Sequence, residues 1–179
     1  MRAKPMRRGI VVALTLVAVA LGSVGAVGAA GAAAAAPYCG ITWGSLPKAA
    51  ETLSSAELLD VRTGQHDCYD RVVFDFQGSA TGYRVAYADQ VFSQGRGEPL
   101  QVAGGALLDV TLLEPASAAP AAPDLTGYRT LRDVVYGGSF EGYTTFGVGV
   151  RARLPFRVFT LAGPGGQSRV VLDVAHRWS

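Results

Sequence analysis

Arg71-Val72-Val73-Phe74-Asp75-Phe76 returns near the end of the chain as Arg169-Val170-Val171-Leu172-Asp173-Val174. Both stretches alternate with a period of two, which is the side-chain repeat of a strand. Val72, Phe74 and Phe76 form one face, as do Val170, Leu172 and Val174; the arginines and aspartates fall on the other, with Val73 and Val171. Each stretch lies near an aromatic-Arg-Val triplet, Tyr83-Arg84-Val85 in one case and Phe156-Arg157-Val158 in the other. Two such strands suggest pseudo-symmetric halves of a sandwich. If they neighbour each other antiparallel, Arg71 meets Asp173 and Arg169 meets Asp75, cross-strand pairs worth a few tenths of a kcal/mol when exposed.

The same texture runs outward from both stretches. From Tyr69 on, segments rich in Val, Phe, Tyr and Thr are separated by Gly, Pro and Asp, the pattern of an all-β chain. Strands are expected at Arg71–Phe76, Tyr83–Ala88, Ala106–Leu113, Thr130–Tyr136, Tyr143–Leu154, Phe156–Leu161 and Arg169–Val174, with Asp89–Phe92 as a short eighth. Seven or eight strands in about 110 residues suit a two-sheet β-sandwich, with a barrel as the alternative. Residues 41–67 carry little period-two pattern, and Glu51–Asp60 suggests at most one short helix. The Pro/Ala-rich loop at 114–127 cannot be a ladder strand, because proline has no amide donor. It reads as a mobile surface insertion.

The first 36 residues have a different character. Arg2, Lys4, Arg7 and Arg8 precede the apolar run Ile10–Ala20, and a small-residue stretch ends in Ala32–Ala36. This is the layout of a signal peptide at 1–36, cleaved near 33–36. No charge occurs from Gly9 to Pro47, so an N-terminal membrane anchor is the alternative; otherwise no stable membrane insertion is expected after cleavage. Lipid attachment at Cys39 and a twin-arginine route through Arg7-Arg8 fit less well. The chain of 179 residues has 16 basic and 14 acidic side chains, a net charge of +2. Without the leader, acids exceed bases by two, which argues against nucleic acid as a partner.

Export gives the two cysteines a role. An oxidising compartment permits a Cys39–Cys68 disulfide, which would pin Gly40–Asp67 to the body; two free thiols are the alternative. The chain has only two histidines and two cysteines, and no metal or other cofactor is expected. Catalytic constellations are weak. His66 stands beside Asp67 and Cys68 without a nucleophile-elbow serine in the chain. Glu114 and Glu141 have no spacing that joins them as a carboxylate pair. His176 reads as a surface or cap residue, and Gly163–Gly166 as a turn. The chain is therefore expected not to be an enzyme.

The most informative candidate surface is Tyr143–Leu154. As one strand, it puts Thr144, Phe146, Val148, Val150, Ala152 and Leu154 on a core face. Tyr143, Thr145, Gly147, Gly149, Arg151 and Arg153 line the other, a glycine floor between an aromatic and two guanidiniums. A flat ligand can approach such a floor closely; tyrosine stacks on a sugar ring and arginine grips a carboxylate. The competing reading is that the glycines receive an aromatic from the adjacent strand or permit strong twist, and that the arginines form a solvated outer face. Tyr143, Arg151 and Arg153, helped by Trp43, are the candidate ligand-binding residues.

Tyr38–Leu46, His66–Arg71, Gly138–Gly142 and Val150–Val158 together resemble the AMIN-like domain proteins of actinobacteria, over residues 38–178. The resemblance implies a fold similar to the AMIN domain, a two-sheet β-sandwich that accompanies cell-wall amidases and secretins and localises proteins at the envelope. It carries over no site residues. It implies an exported, non-enzymatic protein whose partner is a cell-wall polymer such as peptidoglycan. The alternatives are a protein–protein interaction module of the envelope and, last, a small secreted hydrolase.

Overall fold

In the computed structural model, which describes residues 37–80 and 82–178, the chain is all-β. Nine strands occur among the described residues: β1 Lys48–Ala50, β2 Glu57–Gln65, β3 Tyr69–Gln77, β4 Tyr83–Ala88, β5 Ala106–Leu112, β6 Leu131–Phe140, β7 Tyr143–Val150, β8 Phe156–Ala162 and β9 Gln167–Ala175. They form a five-stranded sheet in the order β1-β4-β5-β7-β6 and a four-stranded sheet in the order β2-β3-β9-β8, all pairs antiparallel. Among the described residues, helical structure is confined to the single turns Tyr38–Gly40 and Pro164–Gly166. No helix among the described residues is long and apolar enough to cross a membrane. The expected leader, residues 1–36, lies outside the described residues.

The two echoing stretches are β3 and β9, neighbours at the centre of the four-stranded sheet. Arg71 stands opposite Asp173, and Asp75 opposite Arg169. The pseudo-symmetry therefore lies within one sheet, where the β2–β3 and β8–β9 hairpins meet back to back, and not between the halves of the sandwich. Val72, Phe74, Phe76, Val170, Leu172 and Val174 are buried against Leu108, Val110, Leu112, Phe146, Val148 and Val150 of the other sheet. Phe74 and Phe146 meet across the interface with ring centroids 5.0 Å apart. Each such side chain contributes about 1.5–3 kcal/mol on full burial.

Four expectations are corrected. First, residues 41–67 hold two strands, not a helix. In β2, Leu58 and Val61 both point into the core because the pairing register skips Leu59. That bulge puts an extra residue between two inward positions and erases the alternation. Second, Asp89–Phe92 is not a strand; it contributes only the isolated bridge Phe92–Pro99. Third, β7 ends at Val150, and residues 151–155 leave the sheet.

Fourth, the Pro/Ala-rich loop is docked. Pro115 accepts from Leu58 N at 3.0 Å, Ala116 N donates to Ser139 Oγ at 3.0 Å, and Ser117 N donates to Glu57. Pro120–Pro123 lie against Val61, Val134 and Tyr136. The loop thus lies along the side of the sandwich between the edge strands β2 and β6, with Ala116 and Leu125 packed on the core.

Candidate functional site

The four candidate residues do not share one surface. Tyr143 begins β7 with the Arg84 guanidinium 5.9 Å from its ring. Arg151, just beyond the far end of that strand, donates to the His176 carbonyl. Arg153 lies over the Tyr87 ring at 4.7 Å. The span of β7, about 26 Å at the usual strand rise, separates Tyr143 from the two arginines. The glycine floor between them is occupied by the chain itself. A Cβ on Gly147 would come within 2.5 Å of Val102 Cγ2, and one on Gly149 within 1.8 Å of the Ala103 carbonyl oxygen. The glycines admit the strap 100–103, which lies across the sheet.

The residues considered for catalysis are spread out. His66 stacks on Tyr69 with centroids 4.4 Å apart. Glu114 is fully buried and accepts from Gly82 N at 3.0 Å and Ser54 Oγ at 3.2 Å, whereas Glu141 is exposed in the β6–β7 turn. His176 is not a surface residue. Its Nδ1 lies 3.1 Å from the Asp67 carbonyl and its Nε2 3.0 Å from Asp70 Oδ1. Asp70 also accepts from Thr130 N and Leu131 N, tying the start of β6 to β3. Among the described residues no cluster of three or more His, Cys, Asp or Glu could hold a metal ion.

Trp43 leads to a different surface, the outer face of the four-stranded sheet. The register sets its side chains in rows from β2 to β8. One row is Gly64, Arg71, Asp173, Arg157; the next is Arg62, Val73, Val171, Phe159; the third is Asp60, Asp75, Arg169, Leu161. Asp173 is wholly buried and receives Arg71 Nε at 2.6 Å, Arg71 Nη2 at 2.9 Å and Arg157 Nε at 2.8 Å. Asp75 receives Arg62 through Nε and Nη2, and Arg169 Nε lies 3.5 Å from it. Each aspartate thus takes one arginine from its own hairpin and one from the other. These bonds hold the Arg71 and Arg62 guanidiniums above their ordinary pKa, against the opposing effect of burial.

Aromatic rings frame the Asp173 end. Arg157 Cζ is 5.5 Å from the Trp43 ring, 5.5 Å from Tyr69 and 5.0 Å from Phe159. Arg71 Cζ is 5.3 Å from Tyr69 and 5.6 Å from Phe159. Trp43 reaches this face because the Cys39–Cys68 disulfide and the backbone bond from Phe156 N to Gly44 O bind residues 39–44 to the sheet. Its indole Nε1 donates to the Tyr38 carbonyl at 2.9 Å, which fixes the ring. Beside Arg71, the absent side chain of Gly64 opens a concavity of about 250 Å³ whose walls include Arg62, Arg71, Arg169 and His66.

The alternation of the two echoes pairs Arg71 with Asp173 and Arg169 with Asp75 as cross-strand contacts, but it does not mark Arg62, Tyr69 and Phe159 as members of one surface. The available signal was the Phe156-Arg157-Val158 triplet beside the second echo, which sets Arg157 and Phe159 on the same side of β8.

Residues 56–176 match the family model of the AMIN-like domain. No curated protein and no solved structure matches the chain.

Proposed function

The chain belongs to the AMIN-like domain family, and from that membership we propose that it is a non-enzymatic module that binds cell-wall glycan through the outer face of its four-stranded sheet. AMIN-like domains are envelope-associated, peptidoglycan-related modules, and a Cys39–Cys68 disulfide suits an extracytoplasmic location. The observation that carries the finer reading is the Trp43, Tyr69 and Phe159 rings gathered around two guanidiniums. Aromatic faces stack on the C–H faces of sugar rings, and arginine forks donate to acetamido and carboxylate oxygens. Both groups are held before any ligand arrives, because Asp173 orients the arginines and the disulfide segment orients Trp43, so little side-chain entropy is lost on binding.

Co-sedimentation with purified sacculi tests this. The wild-type protein is expected in the pellet at low salt. Trp43→Ala should weaken retention about fivefold or more, roughly 1 kcal/mol, the scale of one stacking contact. Tyr143→Ala, on the other sheet, should leave retention unchanged. A wild-type protein that stays in the supernatant overturns the reading, and a cross-linked envelope protein in its absence would make the chain a protein-interaction module. Loss on Tyr143→Ala with retention on Trp43→Ala would move the site to the other sheet.

A further inference from the structure

Three guanidiniums border the Gly64 concavity, and their hydrogen-bonding capacity is only partly used. Arg62 and Arg71 each spend Nε and Nη2 on an aspartate, and Arg71 Nη2 also reaches the Tyr69 hydroxyl at 3.3 Å. Their Nη1 groups have no hydrogen-bond partner among the described residues. Arg169 approaches Asp75 only at 3.5 Å and makes no hydrogen bond among the described residues. The floor between them is Val73 and Val171, both buried. Gly64 leaves the space open: a Cβ there would meet nothing nearer than His66 Nε2 at 3.8 Å.

We propose that this concavity is a carboxylate subsite, so that the ligand of the face is a carboxylate-bearing amino-sugar polymer and not a neutral one. The inference rests on the cell-wall reading above and specifies its ligand class. Unused guanidinium N–H groups beside an apolar floor favour an anion, because charge-assisted hydrogen bonds are the stronger kind. Asp75, which already binds Arg62 and lies 3.5 Å from Arg169, puts a negative charge beside the concavity, so a monoanionic carboxylate is favoured there over a phosphate dianion. Phe159 on β8 stands two strand spacings, roughly 10 Å, from Arg71 on β3, so a polymer stacked on the aromatic end brings the substituent carboxylate of its next sugar towards the concavity.

The test is a titration of the purified protein, followed through the arginine Nε–H and Trp43 indole N–H resonances. The probes are N-acetylmuramic acid, N-acetylglucosamine and inorganic phosphate; the first two differ by a carboxylate-bearing ether. N-acetylmuramic acid should shift Arg62 and Arg169 saturably, with N-acetylglucosamine and phosphate at least about tenfold weaker. The Arg62→Gln/Arg169→Gln variant should abolish the preference between the two sugars while the Trp43 response persists. Equal arginine responses to both sugars, a stronger response to phosphate, or a preference that survives the double substitution overturns the subsite. Trp43 moving with both sugars and the arginines with neither defeats the subsite alone. Arginines that respond to N-acetylmuramic acid beside an unmoved Trp43 support the subsite and defeat the aromatic platform.

Discussion

Three aspartates on sheet faces show how position sets the behaviour of one side chain. Asp173 is fully buried and stays satisfied because two guanidiniums donate to it; removing either would leave much of the cost of burying a charge uncompensated. Asp75, more exposed, is held by a looser pair. Asp109, on β5, has neither: its Oδ1 is buried without a hydrogen-bond partner among the described residues. Burial pushes its carboxyl above the ordinary aspartate value, and a hydrogen bond from the Thr111 side chain offsets only part of this. A carboxyl with a raised pKa in the folded state contributes stability at pH below its unfolded value and loses it as pH rises through the folded value. Asp109→Asn should therefore stabilise the protein at neutral pH by about 0.5 kcal/mol, the cost of a buried unpartnered polar atom discounted for a half-exposed carboxyl. The advantage should vanish in acid, below the ordinary aspartate range. Tm of both proteins against pH checks this; an equal difference at all pH values would contradict it.

At the scale of elements, β7 and the strap 100–103 depend on each other. The glycines of β7 let the Ala103 carbonyl approach so closely that Gly149 has no room for a methyl group. Backbone cannot yield as a side-chain tip can, so Gly149→Ala should cost about 2–3 kcal/mol, the upper part of the range for overpacking. Gly147→Ala, which meets a valine methyl, should cost less. Urea unfolding of the two variants gives the ranking, and a reversed order would show that the strap moves freely. The bulge at Leu59 acts in the opposite sense. It keeps Leu58 and Val61 inward while hiding β2 from any search for alternation, and with β2 went Arg62, one wall of the candidate subsite.

For the molecule as a whole, the disulfide joins the Tyr38–Gly40 turn to the approach to β3 across 29 positions. The loop-entropy relation assigns such a link about 3–4 kcal/mol. The Cys39→Ser/Cys68→Ser variant should lose about that much in chemical denaturation, and it should lose sacculus retention as well, since residues 39–44 carry Trp43 to the proposed binding face. Full retention by a folded double variant would show that the Phe156–Gly44 backbone bond positions Trp43 alone. The docked Pro/Ala loop belongs to the same scale. By covering the opening between β2 and β6 it completes the core that two sheets of unequal width leave open.

What was legible in the sequence is what neighbouring residues decide together. Period-two alternation marked β3 and β9, identical spacing of Arg and Asp in both set the register that joins them, and the chain's two cysteines named the crosslink. Tertiary structure alone decided which outer face stays open. Gly147 and Gly149 looked accessible because the strap that covers them comes from across the β4–β5 connection, and the arginine–aromatic face formed because segments as distant as Trp43 and Arg157 converge on one sheet. Alternation is a property of contiguous backbone, whereas the covering of a face depends on long-range packing that no local pattern encodes.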